Sequence, residues 1–280
     1  MMQMATLGKS GDRFRDMIRS ITGISLPPSK VQMIEQRLRR RVIDCAQPDT
    51  ETYLDQLLAG ALGQDELRRV IDLITTNTTS FFREADHFDL LVRSILPERL
   101  SRPGRGQRGR LKVWSAAASE GAEAFTAAMV LEEARRRGPD FDYAILGTDI
   151  SHRMLERADA AIYADEQLAT VPRDLLARYF LRSRDASMAG KSRVVPELRA
   201  KVRFRHLNLM DARYPVDRDV DVIFLRNVLI YFDVADKETV VDRLAGHLAP
   251  GGYLLVGHAE SMVVRHEGLR QVKPTIFQKC

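Results

Sequence analysis

In the first quarter of the chain, apolar residues recur at three- and four-residue spacing. Phe14, Ile18 and Ile21 predict a helix that ends at Gly23, and Pro27 and Pro28 punctuate the connection after it. Val31, Ile34, Leu38 and Val42 form the single stripe of a second helix, with Ser29 placed to cap its start. Tyr53, Leu54, Leu57 and Leu58, then Leu67, Val70, Ile71 and Ile74, predict two more short helices. The pattern to about Leu73 is that of a small helical domain.

From Leu111 the rhythm becomes one of short apolar runs alternating with helical stretches. Lys112–Trp114, Tyr143–Gly147, Val202–Phe204, Val220–Leu225 and Tyr253–Val256 read as strands. Helices are predicted over Ala122–Arg135, Met154–Ala161 and Val240–Leu248, with Ile276 and Phe277 as a final antiparallel strand. Strands alternating with helices imply an α/β fold with a parallel, doubly wound sheet. Pro97–Arg110, rich in Arg, Gly and Pro, reads as a linker. Asp174–Arg199 breaks the rhythm and reads as a small insertion.

Composition changes this picture little. The 280 residues are 45% apolar and 29% charged, as expected of a globular protein. No run approaches the roughly 20 apolar residues that span a bilayer, and Met1–Ser10 lacks the pattern of a signal peptide. Cys45 and Cys280 make neither a disulfide framework nor a metal site, so a cytoplasmic location is expected. The net charge of +5 suggests an acidic partner without distinguishing nucleic acid from an acidic protein surface.

Ligands of such sheets bind beyond the carboxyl ends of the strands. After the first strand comes Ser115-Ala116-Ala117-Ala118-Ser119-Glu120-Gly121, small residues that let backbone approach a ligand, but no Gly-x-Gly-x-x-Gly. Glu123 opens the next helix. There it disfavours a pyrophosphate and suits an ammonium, or it simply complements the helix dipole. Asp149, after the second strand, has the position of a ribose-binding carboxylate, or it caps the following helix. A cofactor with a ribose but no pyrophosphate reconciles the two acids, which points to S-adenosylmethionine over NAD. Asn208 and Leu209 suit an adenine edge and face, or turn and core. Arg226, directly after an apolar strand, needs a partner if buried. Tyr231 reads by spacing as an aromatic core residue.

Five strings, in order, carry a resemblance: TTNTTSFFRE (Thr75–Glu84), VWSAAASEG (Val113–Gly121), GTDI (Gly147–Ile150), FLRNVLIYFD (Phe224–Asp233) and LAPGGYLLVGHAE (Leu248–Glu260). Over nearly its whole length the chain resembles the chemotaxis receptor methyltransferase family, CheR. The resemblance implies an N-terminal all-helical domain (1–84) and a linker region (85–110). It then implies a Rossmann-like S-adenosylmethionine-dependent methyltransferase domain (111–280) with a small β-subdomain near 174–200. The implied activity is the formation of glutamate methyl esters on bacterial chemoreceptors, with S-adenosyl-L-homocysteine as product and no metal. Asn77 and Thr79 would lie against the cofactor, and Arg83 near the methyl, steering the substrate carboxylate. Ala117 would allow close approach, Glu123 would take the ammonium, Asp149 the ribose, and Asn208 and Leu209 the adenine. Asn227, Val228 and Tyr231 would floor the sulfonium, Tyr231 shaping the methyl channel. Lys30, Arg37 and Arg41 would dock the chain, as a monomer, on the acidic cytoplasmic helical bundle of a receptor, without nucleic acid or membrane insertion.

The chain departs from the family where Ser-Thr-Gly-Glu-Glu-Pro-Tyr is usual. It has Ser119-Glu120-Gly121-Ala122-Glu123-Ala124-Phe125. This leaves open a family member that binds cofactor or receptor with reduced or no turnover. The loop from Ser183 to Ser192, with the single Gly190, lacks the several glycines of members that tether to a receptor pentapeptide.

Overall fold

The computed structural model describes residues 8–101, 110–138 and 140–280. Four helices open the chain: α1 (Gly8–Thr22), α2 (Val31–Asp44), α3 (Thr50–Leu58) and α4 (Gly63–Ile74). Their apolar stripes meet in a separate small core built on Phe14, Ile18, Ile34, Leu38, Tyr53, Leu54 and Val70. Gly23 ends α1 at φ +71°, a conformation that costs glycine nothing. Ser29 lies in a 3-10 turn (Pro28–Lys30) and caps nothing, whereas Asp49 caps α3 by accepting from the Thr52 amide.

Residues 86–100, part of the linker region that the resemblance implies, are helical. α5 (Asp86–Leu90) passes through a π-turn (Leu91–Ile95) into α6 (Leu96–Leu100). Phe88, Leu91, Ile95 and Leu96 are buried in the core of the second domain. Pro97 is tolerated because it falls in the first turn of α6. The Arg/Gly-rich part of that prediction, residues 102–109, lies outside the described residues.

The second domain runs β1 (Arg110–Ala116), α7 (Ala122–Arg137), β2 (Asp142–Asp149), α8 (His152–Ala160), β3 (Ile162–Ala164), α9 (Arg173–Tyr179) and β4 (Phe180–Arg182). It continues with β5 (Lys191–Val194), α10 (Pro196–Arg199), β6 (Val202–His206), β7 (Val220–Leu225), α11 (Val234–His247), β8 (Leu248–Val256), β9 (Leu269–Lys273) and β10 (Ile276–Lys279). The main sheet has the order β6-β2-β1-β7-β8-β10-β9. Its first five strands are parallel and β10 is antiparallel to both neighbours. A second, antiparallel sheet of order β3-β5-β4 begins at Ile162, earlier than the insertion read from sequence, and adds the β-subdomain.

β7 is buried at all six positions although it carries Asp221. Arg99 of α6 accounts for this: its guanidinium lies 2.7 Å from Asp221 with both side chains almost wholly buried, and the Lys112 amide donates to the same carboxylate. The pair fastens the 86–100 helix to the sheet. Among the described residues, no helix is long and apolar enough to cross a membrane.

The helical domain has its own buried charge. Glu66 of α4 accepts from Arg41 Nε at 2.8 Å, Arg41 Nη2 at 2.6 Å and the Tyr53 hydroxyl at 2.6 Å. Burial pushes its pKa up, but these partners outweigh burial and hold it at about 2, against 4.5 for an ordinary glutamate. A depressed carboxylate stabilises the fold above its unfolded pKa and loses that contribution as pH falls toward the folded one. Acid unfolding of the helical domain is therefore expected to draw on Glu66 between about pH 4.5 and 2, and Glu66→Gln should flatten this part of a pH–stability curve. Glu66→Ala, which leaves Arg41 only Asp44 and the Tyr53 hydroxyl without its acceptor, should cost roughly 2 kcal/mol in denaturant unfolding at neutral pH.

Candidate active site

The strand order reverses at β1, which has β2 on one side and β7 on the other, so a crevice opens beyond their carboxyl ends. The loops after these three strands wall a cleft, and residues 75–80 with Arg83 cross it from the helical domain. Of the predicted residues, Asn77, Thr79, Arg83, Ala117, Glu123, Asp149, Asn227, Val228 and Tyr231 all line this cleft. A second, smaller cavity shares Ala117, Asp149 and Val228 with it and continues to Asn208 and Leu209. Tyr231 is thus a wall of the site rather than a core residue.

The backbone bordering the cleft is strained. Among the described residues, eight non-glycine residues have positive φ, and five of them, Phe82, Glu84, Ala117, Ser119 and Asn227, lie in these loops. Each costs on the order of 1–3 kcal/mol, or less for Asn, so the packing around the loops must hold them. At Gly121 a Cβ would stand 2.8 Å from the Phe204 ring, which explains the glycine that closes the first loop.

Arg226 sits at the centre with only 2% of its side chain exposed. Its Nη1 donates to Glu123 Oε2 at 3.0 Å, its Nε to Glu84 Oε2 at 3.3 Å and its Nη2 to the Arg83 carbonyl, and its guanidinium lies 5.5 Å from the centre of the Phe88 ring. Glu123 also accepts from Ser115 Oγ at 2.6 Å. Two carboxylates against one guanidinium leave this cluster one negative charge in excess. Burial raises the Glu123 pKa, only partly opposed by Arg226 and Ser115, and the Glu84 charge adds to the rise. Burial acts on Glu84 too, but Arg226 prevails and its pKa is lowered. A cation entering the cleft would relieve the strain on Glu123.

The remaining residues are held by backbone groups. Asp149 accepts from the Ser119 amide at 2.8 Å and the Ser151 amide at 2.9 Å, which fixes its carboxylate at the junction of the two cavities. Ser151, not Asp149, caps α8 through the Met154 amide. The Asn77 carbonyl accepts from Ser119 Oγ at 2.7 Å, pinning the polar string to the loop after β1. Buried Glu260 accepts from the Asn227 and Gly257 amides at 2.8 and 2.7 Å and so supports the third loop. Arg83, at the rim, donates to the Thr78 carbonyl at 3.2 Å.

Three expectations change. Asn208 lines the smaller cavity, but its side-chain amide donates to the Ile21 carbonyl at 2.6 Å and its side-chain oxygen accepts from the Met210 amide at 3.0 Å. It joins the domains while lining the cavity, with one amide N–H and one oxygen lone pair outside these two bonds. Arg37 donates to the carbonyls of Leu73, Ile74 and Thr75, capping α4, and Arg41 is bound to Glu66. Neither presents its charge outward as Lys30, Arg39 and Arg40 do. Sequence reasoning missed Ser119, Ile150 and Ile24 as cleft residues. Ser119 was legible as a small residue in the first loop, while Ile24 carried no signal at all.

These side chains fit S-adenosylmethionine: a buried excess of negative charge, a fixed carboxylate at the junction, and an apolar chamber beyond it. Glu84, His87 and His258 bring ligand atoms within 4.8 Å of one another. However, the Arg226 guanidinium 3.2 Å from Glu84 opposes a metal cation at that point.

Residues 77–277 match the CheR methyltransferase SAM binding domain, and residues 10–75 match the CheR methyltransferase all-alpha domain. Chemotaxis protein methyltransferase 2 of Pseudomonas aeruginosa is 36% identical over 265 residues, covering 94% of this chain and 90% of that one. The chemotaxis protein methyltransferases of Escherichia coli (36% over 249 residues, 89% and 83% covered) and Borreliella burgdorferi (33% over 258 residues, 92% and 89% covered) are similar to it as well. The cleft, the two-domain order and these matches agree, and the chain belongs to the CheR family of S-adenosylmethionine-dependent methyltransferases.

Proposed function

We propose that this methyltransferase esterifies glutamate side chains on the cytoplasmic helical bundle of chemoreceptors. The observation that carries the reading is the pairing of a buried, negatively charged pocket floor with a cationic rim. Glu84, Arg226 and Glu123 favour a cationic donor below, and Arg83 favours an anionic acceptor above. The cofactor supplies an electrophilic methyl on a sulfonium. Glu123 binds its ammonium and Asp149 its ribose hydroxyls, while Asn77, Thr79, Ala117, Asn227 and Val228 wall the space between.

A glutamate carboxylate has a pKa of about 4.3 and is ionised at neutral pH, so no general base is required. The protein's task is placement and exclusion of water. Arg83 holds the carboxylate by a charge-assisted contact, and Tyr231 shapes the channel to the methyl. The departure at Glu120 does not obstruct this. Its side chain accepts from Gln167 Nε2 at 2.5 Å, its carbonyl accepts from the Tyr163 hydroxyl at 2.6 Å, and it is not among the residues lining the main cleft. This favours turnover over a purely binding role.

Docking on the receptor's acidic bundle falls to Lys30, Arg39 and Arg40, the outward cations at and along α2. Cytoplasmic placement and action as a monomer complete the reading.

Incubation with tritiated cofactor and receptor-rich membranes should label the receptor, and the label should be released by mild base, as methyl esters are. A base-stable label would refute esterification. Arg83→Ala should abolish transfer while cofactor affinity by calorimetry stays within a few-fold. Glu123→Gln should instead weaken cofactor binding by about 10- to 100-fold, the worth of a hydrogen bond to a charged group. The double variant Arg39→Glu/Arg40→Glu should weaken receptor binding about tenfold at low salt and flatten its salt dependence, with methyl transfer to an isolated acceptor peptide unchanged.

A further inference from the structure

We propose that Ile24, in the connection between α1 and α2, is a wall of the adenine chamber, so that the helical domain binds part of the cofactor. This rests on the cofactor reading above and deepens it. Ile24 lines both the main cleft and the smaller cavity, and Thr22 lines the smaller one. The residues common to both cavities are Ile24, Ala117, Asp149, Ile150 and Val228. With the ribose at Asp149, the base enters the smaller chamber, whose other walls are Leu207, Leu209 and Phe232. Asn208 spends one amide N–H on Ile21 and one oxygen lone pair on Met210, so apolar faces, Ile24 among them, make up most of the surface offered to the ring.

The connection is fixed in place by contacts from several directions. A Cβ on Gly23 would lie 2.6 Å from Met210 Sδ and 3.1 Å from the Phe232 ring, so backbone and chamber wall touch closely there. The Ser25 amide donates to the Tyr231 carbonyl at 2.9 Å, the Ile24 amide to Thr22 Oγ1 at 3.1 Å, and Arg19 pairs with Asp233. A side chain held this way forms a preorganised surface, and preorganisation cuts the cost of binding. Ile24 is itself only half-buried, which leaves part of it open to a ligand.

The test compares wild type with Ile24→Ala and Ile24→Val. The readouts are calorimetric affinity for S-adenosylhomocysteine, displacement by 5′-methylthioadenosine, which lacks the amino-acid end, and the cofactor-free melting temperature. Ile24→Ala is expected to weaken both ligands by the same factor, about tenfold from the apolar surface removed. Ile24→Val should weaken both by a smaller common factor. The melting temperature should not change; if Ile24→Ala lowers it, Ile24→Val carries the comparison. Unchanged affinities, weakening of S-adenosylhomocysteine alone, or failure of 5′-methylthioadenosine to displace it from wild type would each overturn the proposal. Wild type that binds neither ligand would overturn the cofactor reading, and the inference with it.

Discussion

A buried guanidinium fixes the active site. Arg226 leaves the end of a wholly buried strand and has nowhere to go but the interior, where an unpaired cation is prohibitive. Its partners come from three places: Glu84 and the Arg83 carbonyl from the end of the polar string, Glu123 from α7, and the Phe88 ring from α5. Satisfying this one group therefore brings together the string, the first helix of the sheet domain and the segment joining the two domains. It also sets the charge of the pocket, because two acids are needed to surround it and one negative charge is left over.

The strained loops follow from the same arrangement. Phe82 and Glu84 have left-handed backbone immediately beside the Arg226 contacts, and Asn227 follows Arg226 directly. Glu260 then anchors the Asn227 amide. Such geometry persists only where surrounding contacts over-determine it. The loops around Arg226 are accordingly each held by several contacts, while Arg83 lies at the rim of the cleft.

Much of the fold could be read from periodicity. The helical stripes of α2 and α4, the β1-to-α7 alternation and the last strand all have patterns strong enough to survive tertiary context. Pro97 and the Arg/Gly-rich stretch after it suggest a break, so the helix that runs to Leu100 is not visible from them. Yet Phe88, Leu91 and Ile95 already held helical spacing, and Pro97 sits where a helix accepts it. β3 and β4 have three residues each and β9 is exposed at four of its five positions, so none carries a periodic signal.

By itself, the sequence determined the two-part architecture, the positions of Glu123 and Asp149 at strand ends, and the absence of a phosphate-binding glycine loop. These are local properties, set by spacing and residue type along a continuous stretch. Only the tertiary structure decided where each charge is used. Arg37 and Arg41 read as outward cations because helical spacing shows which face a residue occupies, not which partner waits there. Glu66 and the carbonyls ending α4 take them inward. Likewise Ile24, far from the strand ends in the sequence, lines the cleft, and Asn208 reaches the Ile21 carbonyl beside it. No pattern along the chain encodes a contact between segments that meet only once both domains have folded.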